Sequence, residues 1–428
     1  MRLTNMPGHV FFVQSISDKE LNDELVMRPI RLICANVTPG GLTGAPKRLL
    51  MLSQVLRDCG LEPIIVTDPD SQLMEKARKI GISAIDCPIP DELYVKNNEL
   101  MNSSIFVIIR LLFLLARQNL KFFVIIRSSK ADAVWIRSTR GMAFYGFGAF
   151  LSGKPIIWDI ALEPKSKGFF GYVHKFGLRA SNAMVLQYDK LAFYIENEYG
   201  CKKYKRKSVS LIPGIELKGL LPYNRMRRKF QSYRRSSSFI MLQVGTICAR
   251  KNQSFLIDVM VQAEADGVGD GWELWLVGDM RSDTEIKNKI DKYSLHEKVL
   301  MFGWSDDIHG IMCKADLLLM PSKDEGVPNA VQEAMFMGLP VIASDAGGIP
   351  EIIQNDVTGW VLPCDIPERW AEKMIWCKEN PAQCIRVGNN ASRYASDHFN
   401  PVHWGGKYAA IIRSVIKKEQ LDGKSVSS

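Results

Sequence analysis

Paired cysteines and a long uncharged apolar run are both missing from this chain of 428 residues. Its nine cysteines are scattered singly, odd in number and without a CxxC pair. That excludes a zinc ribbon and a disulfide scaffold, and reads as free thiols in a reducing compartment. The apolar run Ile105–Leu115 is interrupted by Arg110 and followed by Arg117, Lys121 and Arg127, too short and too charged to span a bilayer. Near the start, Val10–Val13 is a very short apolar stretch with Asp18, Glu20, Asp23 and Glu24 behind it, so no signal peptide is read. The expected location is the cytoplasm. Repeats and low-complexity tracts are absent apart from the serine-rich end, Ser425–Ser428.

Charge is present but unevenly placed. Residues 1–235 hold 36 of the 55 Lys/Arg and 20 of the 46 Asp/Glu, a balance of +16; the rest holds 19 and 26, a balance of −7. A basic half suits an anionic partner such as a phospholipid surface or a lipid diphosphate. Nucleic acid is not expected, because no recognisable motif with interleaved aromatics accompanies the cations. Much of the excess sits in Lys202–Lys207 and Arg225–Arg235, which also read as solvated loops.

Hydrophobic patterning then divides the chain. Residues 1–28 have no period and read as an extension. Ile30–Val37 is a strand running into Pro39-Gly40-Gly41-Leu42-Thr43-Gly44, and a helix with Leu49, Leu52 and Leu56 on one face follows from about Pro46. Pro63–Thr67, Ala133–Ile136, Pro155–Asp159 and Ala183–Gln187 are further strands, with helical stretches between them. A first domain over 29–218, a polar basic linker over 219–238 and a second domain over 239–402 are expected. A terminal helix at about 403–420 is expected to pack back on the first domain. In the second domain Phe239–Val244, Trp272–Val277, Val299–Phe302, Leu317–Met320 and Pro340–Ala343 alternate with helices. Alternation in both halves implies two parallel-sheet α/β domains with ligand at the strand C-termini between them.

The chemistry is concentrated in Asp316–Ile353. A buried strand, Leu317–Met320, runs through a loop to a helix opening at Pro328-Asn329, where proline's missing N–H costs nothing. The free N–H groups of Val327, Asn329 and Ala330 then make an anion or hydroxyl site. Glu325 precedes that helix and Glu333 lies on its second turn, so both carboxylates can reach one ligand. Ala346-Gly347-Gly348-Ile349-Pro350 is a second small-residue turn between strand and helix, able to approach a phosphate closely. Gly267-x-Gly269-x-Gly271 precedes a strand, the wrong order for a dinucleotide fingerprint.

Glu325-x7-Glu333, with Gly338-Leu339-Pro340-Val341-Ile342-Ala343-Ser344 and Gly347-Gly348-Ile349-Pro350-Glu351, resembles the retaining glycosyltransferases of family 4, which have the GT-B fold of two Rossmann-like domains across a cleft. The resemblance extends through Val244-Gly245-Thr246, Arg250-Lys251-Asn252-Gln253, Leu276-Val277-Gly278-Asp279 and Phe302-Gly303-Trp304; it is looser in the first half, at Thr43-Gly44-Ala45-Pro46, Trp158-Asp159 and Ile212-Pro213-Gly214-Ile215. It implies that Glu333 holds the nucleotide ribose and that Glu325 faces the donor sugar beside the Gly326, Val327, Pro328 and Asn329 backbone. Lys251 is implied to bind the diphosphate, with Arg250 as second cation because the family's arginine position is occupied by Thr246. Gly44 is implied to approach the donor phosphates, and Gly303 to line the donor site. The family's histidine near Asp159 has no counterpart here.

The resemblance further implies front-face displacement on a nucleotide-sugar with retention and no metal or other cofactor. Glu325 would orient hydroxyls, while Lys251, Arg250 and helix N-termini stabilise the leaving diphosphate. The implied acceptor is a glycan or lipid-linked sugar in cell-surface polysaccharide or lipopolysaccharide synthesis. A nucleotide-sugar 2-epimerase and a non-catalytic nucleotide-sugar-binding relative remain as alternatives on the same fold. Asp68-x-Asp70 reads as a turn rather than a metal pair. Ser104–Phe123 and Lys165–Arg179 read either as packing helices or as a face that meets anionic membrane.

Overall fold

The computed structural model describes residues 28–38, 44–94, 104–163, 167–200, 202–233, 238–280 and 283–426. Residues 1–27 of the expected extension, and Gly40 and Gly41, lie outside them.

Two parallel sheets organise the chain. The first has seven strands, β1 Ile30–Ala35, β2 Leu61–Thr67, β3 Ser83–Asp86, β4 Ala133–Arg137, β5 Ile156–Ile160, β6 Ala183–Leu186 and β7 Ser208–Ser210, in the order β3-β2-β1-β4-β5-β6-β7. The second has six, β8 Phe239–Val244, β9 Trp272–Val277, β10 Val299–Gly303, β11 Leu317–Met320, β12 Val341–Ser344 and β13 Trp360–Leu362, in the order β10-β9-β8-β11-β12-β13. Helices cover both faces, so central strands such as β11 (Leu-Leu-Leu-Met) and β12 (Val-Ile-Ala-Ser) are buried throughout instead of alternating. The strand order reverses between β1 and β4 in one sheet and between β8 and β11 in the other. At such reversals neighbouring connections diverge to opposite faces and leave a crevice at the strand C-termini. The loops after β1, β4, β8 and β11 are therefore the ones the topology presents to a ligand.

The stretch read as a basic linker is instead largely helical. Leu217–Tyr233 is a helix that packs on the second sheet's helices Ile308–Lys314 and Asn329–Met337. Its inward residues Leu220, Asn224 and Arg227 recur at helical spacing, but two of the three are polar, so no apolar period betrays it. Asn224 Nδ2 donates to Phe336 O (2.5 Å) and Ser392 Oγ (3.1 Å). The Arg227 guanidinium donates to the carbonyls of Met312 (3.2 Å), Cys313 and Ala315, capping the C-terminus of the Ile308–Lys314 helix.

The chain crosses between lobes twice, at 211–216 and 399–401. The crossings are stitched by Ile215 N to Phe399 O (3.1 Å), and a Cβ on Gly214 would lie 2.8 Å from Pro401 Cα. After the second crossing the helix Pro401–Val426 returns to the first lobe and packs on Gly44–Asp58. No helix among the described residues is long and apolar enough to cross a membrane, and every cysteine among them is a free thiol.

Helix Ile105–Ser128 buries only Leu111, Gln118, Asn119, Phe122 and Ile126. Leu115 and Ile125 are half-buried against the core, while Ile105, Phe106, Ile109, Leu112 and Phe113 face outward, with Phe106 80% exposed. The described residues thus pack against one side of this helix and leave these apolar side chains uncovered.

Candidate functional site

The loops after β8 and β11 meet face to face. After β8 the backbone turns through Gly245 (φ 148°) and passes Gly278, where a Cβ would lie 2.2 Å from Gly245 O; a side chain there would push the two loops apart. Gln253, the first residue of helix Gln253–Ala265, ties this loop down: its Nε2 donates to Thr246 O (3.1 Å) and its Oε1 accepts from Cys248 N (3.3 Å). The left-handed Asn252 (φ 55°) makes the bend into the helix.

On that bend sit Arg250 and Lys251, opposite Glu325. Lys251 Nζ lies 2.5 Å from Glu325 Oε1, and Arg250 NH1 lies 3.1 Å from the same atom. Arg250 NH1 also donates to Asp324 O (2.8 Å), and Arg250 O accepts from Lys323 N (2.9 Å). Glu325 is only 6% exposed. Burial raises its carboxyl pKa, but the Lys251 ammonium and the Arg250 guanidinium, with hydrogen bonds from Lys251 and Ser322, outweigh burial and hold it below the usual carboxylate range. It is therefore an anion at neutral pH, and it engages both cations.

The rest of the Glu325 loop is fixed by the glycine turn after β12. Gly348 N donates to Gly326 O (3.0 Å), and at Gly347 (φ 54°) a Cβ would stand 1.6 Å from Glu325 O. Val327 is buried, Pro328 caps the helix Asn329–Met337, and Glu333 lies within it. Glu333 Oε2 is 3.4 Å from His309 Nε2, away from the cations that grip Glu325. Gly303, at the end of β10, accepts from Gly278 N (2.8 Å) and borders the same strand edge. Thr246 contributes its carbonyl to Gln253 and brings no cation.

The first lobe closes on this loop. A Cβ on Gly326 would lie 2.6 Å from Ala161 O, at the end of β5, and Asn329 Nδ2 reaches Gly44 O (3.4 Å). Arg48, in the helix Gly44–Asp58, donates through NH2 to Gln332 Oε1 (2.5 Å), and Gln332 Nε2 donates to Pro213 O (2.7 Å). Arg48 is buried, and its Nε has no partner among the described residues. Burial and the nearby Arg137 push its pKa down, while Asp159, Glu333 and Glu325 hold it up. Asp159 accepts from Gln187 Nε2 (3.0 Å) and Tyr408 OH and lies 4.0 Å from Arg137. It is thus held by the fold on every side.

A last contact spans the lobes beyond the glycine turn. The Glu351 carboxylate accepts from Asp189 N (2.6 Å) and Lys190 N (2.9 Å), the opening of the helix Lys190–Tyr199. Burial raises its pKa, against those two backbone N–H groups.

Arg48, Gln332, Gln187 and Glu351 were not anticipated. Arg48 did carry a signal: it lies four and eight residues before Leu52 and Leu56, on the buried face of its helix. Asp68 makes a turn, its Oδ1 accepting from Asp70 N (3.2 Å). Among the described residues no group of His, Cys, Asp and Glu could hold a metal.

Residues 224–394 match the family described as glycosyl transferases group 1. The amylovoran biosynthesis glycosyltransferase AmsK of Erwinia amylovora is 29% identical over 31% of this chain and 34% of its own length. The Escherichia coli UDP-Gal:alpha-D-GlcNAc-diphosphoundecaprenol alpha-1,3-galactosyltransferase is 28% identical over 36% of this chain and 41% of its own. The matched stretch therefore spans about a third to two fifths of these relatives. Among solved structures, Anabaena HepE in complex with UDP superimposes with a TM-score of 0.71 at 18% identity, covering 90% of this chain and 100% of HepE. WaaG, a glycosyltransferase involved in lipopolysaccharide biosynthesis, does so at 0.63 and 16%, over 90% and 99%. Those identities speak to the fold alone. The second lobe, with Lys251, Glu325 and Glu333 at its switch point, is thus similar to the group 1 glycosyl transferases, and the chain shares the two-lobed GT-B fold of those structures.

Proposed function

We propose that this chain is a retaining glycosyltransferase that moves a sugar from a nucleotide-sugar donor to a glycan or lipid-linked acceptor in the synthesis of a cell-surface polysaccharide. The observation that carries the reading is the Lys251–Glu325–Arg250 cluster at the strand reversal of the second sheet. Two cations converge there on one buried carboxylate, inside the region matching the family. An arriving donor diphosphate takes Lys251 and Arg250 in place of Glu325. The released Glu325 turns to the hydroxyls of the donor sugar, and Glu333 takes the ribose. As the glycosidic bond to the diphosphate breaks, the charge on the leaving oxygen grows beside Lys251 and Arg250, fixed in advance by the Gln253-tied loop. The acceptor hydroxyl attacks from the same face, and the departing phosphate takes its proton. This scheme calls on no metal.

Support for the donor comes from HepE, whose structures hold UDP or UDP-glucose on the same fold. Support for the acceptor comes from the name of the E. coli galactosyltransferase, which specifies a sugar diphosphate carried on undecaprenol. The uncovered apolar face of helix Ile105–Ser128, on the basic half, supports reversible association with an anionic membrane. The test is a panel of radiolabelled UDP-, GDP- and dTDP-sugars incubated with the purified chain and a lipid extract. Transfer from at least one donor into the lipid fraction is expected. Epimerised donor, or donor binding without turnover, would overturn the reading.

A further inference from the structure

On the first lobe a cavity of about 340 Å³ opens at the C-terminal ends of β2 and β3. Its floor is the two turns that follow those strands, with Asp68, Asp70 and Asp91. Its wall is the middle of helix Ile105–Ser128, which contributes Arg117, Gln118 and Lys121. All strands of this sheet are parallel, so the cavity lies on the same edge as the exit of β1 toward Gly44, which touches Asn329 of the donor loop. β2 neighbours β1 and β3 neighbours β2, and strands lie ~5 Å apart, so the cavity begins roughly 5–10 Å from that exit.

The lining is chemically mixed. Among the described residues neither Arg117 nor Lys121 has an ion-pair partner, although three carboxylates share the cavity with them. Cations held close to carboxylates without pairing suit a ligand that is itself both anionic and hydroxylated. Phosphate oxygens accept from Arg117 and Lys121, and sugar hydroxyls donate to Asp68, Asp70 or Asp91. The Asp68 turn is stiffened by its own bonds to Asp70 and Ser71, so its position does not depend on a ligand.

The wall continues as an apolar strip. Phe106, Phe113, Arg117 and Lys121 follow one another at spacings of seven, four and four, which places them along one side of the helix. At 1.5 Å per residue, Phe113 and Phe106 lie about 6 and 17 Å along the axis from Arg117. Both are exposed, as are their neighbours Ile109 and Leu112. A charged, hydroxyl-binding cavity therefore grades directly into uncovered apolar surface on one rigid element.

We infer that this cavity is the acceptor site, and that its ligand is an amphiphilic sugar diphosphate. Arg117 and Lys121 hold the diphosphate, Asp68, Asp70 and Asp91 hold the sugar, and the lipid chain runs along Phe113 and Phe106. This inference rests on the glycosyltransferase reading and specifies its acceptor. Binding to the full chain by calorimetry tests it, with farnesyl-diphosphate-linked N-acetylglucosamine, farnesyl diphosphate and inorganic pyrophosphate as probes. The glycosylated lipid should bind most tightly. The double variant R117E/K121E should bind it at least tenfold more weakly, and Asp91→Ala should erase the preference for the glycosylated over the plain lipid diphosphate. Arg117 is exposed and Lys121 half-buried on the cavity wall, so the fold should tolerate their reversal, and a melting curve checks that. Equal affinity of wild type and double variant for the glycosylated lipid would overturn the inference, and so would pyrophosphate binding as tightly as the lipid. UDP titrated into the same samples reports the donor site separately. If UDP fails to bind while the lipid effects hold, the glycosyltransferase reading falls and the cavity stands.

Discussion

Replacing Lys251 by alanine strips Glu325 of its nearest counter-charge, and the structure sets what that costs. The ammonium lies 2.5 Å from a carboxylate whose side chain is 8% exposed. Removing one partner of such a buried pair costs about 3–5 kcal/mol when nothing else compensates. Arg250 remains at 3.1 Å, but its side chain is 43% exposed and its attraction is screened, so the loss should fall near the lower bound. The pH dependence then discriminates. In the wild type the depressed Glu325 pKa contributes stability that is complete above the unfolded carboxyl value of ~4.3 and drains away as pH falls through the folded value. In the variant burial is opposed only by the screened Arg250 and the Ser322 hydrogen bond, the folded pKa rises, and Glu325 takes up a proton before the wild-type residue does. The stability gap should therefore be widest at neutral pH and narrow toward pH 4, read by urea unfolding at both. The double change Lys251→Ala/Glu325→Gln should recover most of the neutral-pH stability. It should still bind UDP about 1.5–3 kcal/mol more weakly than wild type, because the diphosphate has lost a charged hydrogen bond. A gap independent of pH, or UDP affinity restored along with stability, would refute the reasoning.

Glu325→Gln removes the internal competitor for Lys251 and Arg250, so UDP affinity should be no weaker while turnover of the full donor drops; Glu333→Ala should weaken UDP binding itself, and calorimetry beside a rate assay separates the two. Gly347→Ala should lower both melting temperature and donor affinity, since its Cβ would stand 1.6 Å from Glu325 O at a φ of 54° that alanine also resists; an unchanged melting temperature would show the turn to be elastic. Transfer activity should be indifferent to EDTA, and loss restored by manganese would contradict the fixed-cation scheme. Glu351→Ala should expand the protein in solution scattering and raise the KM for donor without abolishing turnover, because it frees the N–H groups of Asp189 and Lys190.

The second lobe was the more legible half. Its strands are mostly apolar runs bounded by glycine or proline, Lys251 and Glu325 fall in loops whose position follows from strand order, and Glu333 lies on the helix behind one of them. The Lys251–Glu325 ion pair was not legible, because 74 residues separate the partners and only tertiary packing brings two strand exits together. Helix Leu217–Tyr233 escaped because its inward face carries Asn224 and Arg227, which satisfy carbonyls at other helix ends instead of joining an apolar stripe. Arg48 and Glu351 were hidden for a related reason. Each is a charged residue whose burial depends on the opposite lobe, and no local period encodes that lobe's position. Helix Ile105–Ser128 had a plain apolar signal with two readings, and its direction was decided by the packing of Phe122 and Ile126 inward.

The lobes meet through apolar packing, with the buried Tyr188 of the first lobe against Gly348 of the second, and through a set of polar contacts that bears on how the cleft works. Glu351 against the Lys190–Tyr199 helix, the chain from Arg48 through Gln332 to Pro213, and Asn329 against Gly44 O are hydrogen bonds of about 1 kcal/mol net each. Their sum is a few kcal/mol beyond that packing, on the scale at which a ligand shifts a domain equilibrium, so the lobes can respond to one. The charges set the direction of that response. When the lobes meet, Arg48 and Arg137 of the first lobe come near Glu325 and Glu333 of the second, with Asp159 beside Arg137 and with Arg250 and Lys251 on Glu325. On the proposed function, a nucleoside diphosphate drawn to these cations favours the closed arrangement over the open one. The glycine turn transmits the effect: Gly348 is bonded to the Glu325 loop on one side and lies three residues from Glu351 on the other. Seating of the donor and docking of Glu351 on the first lobe are thus movements of one short, stiff segment.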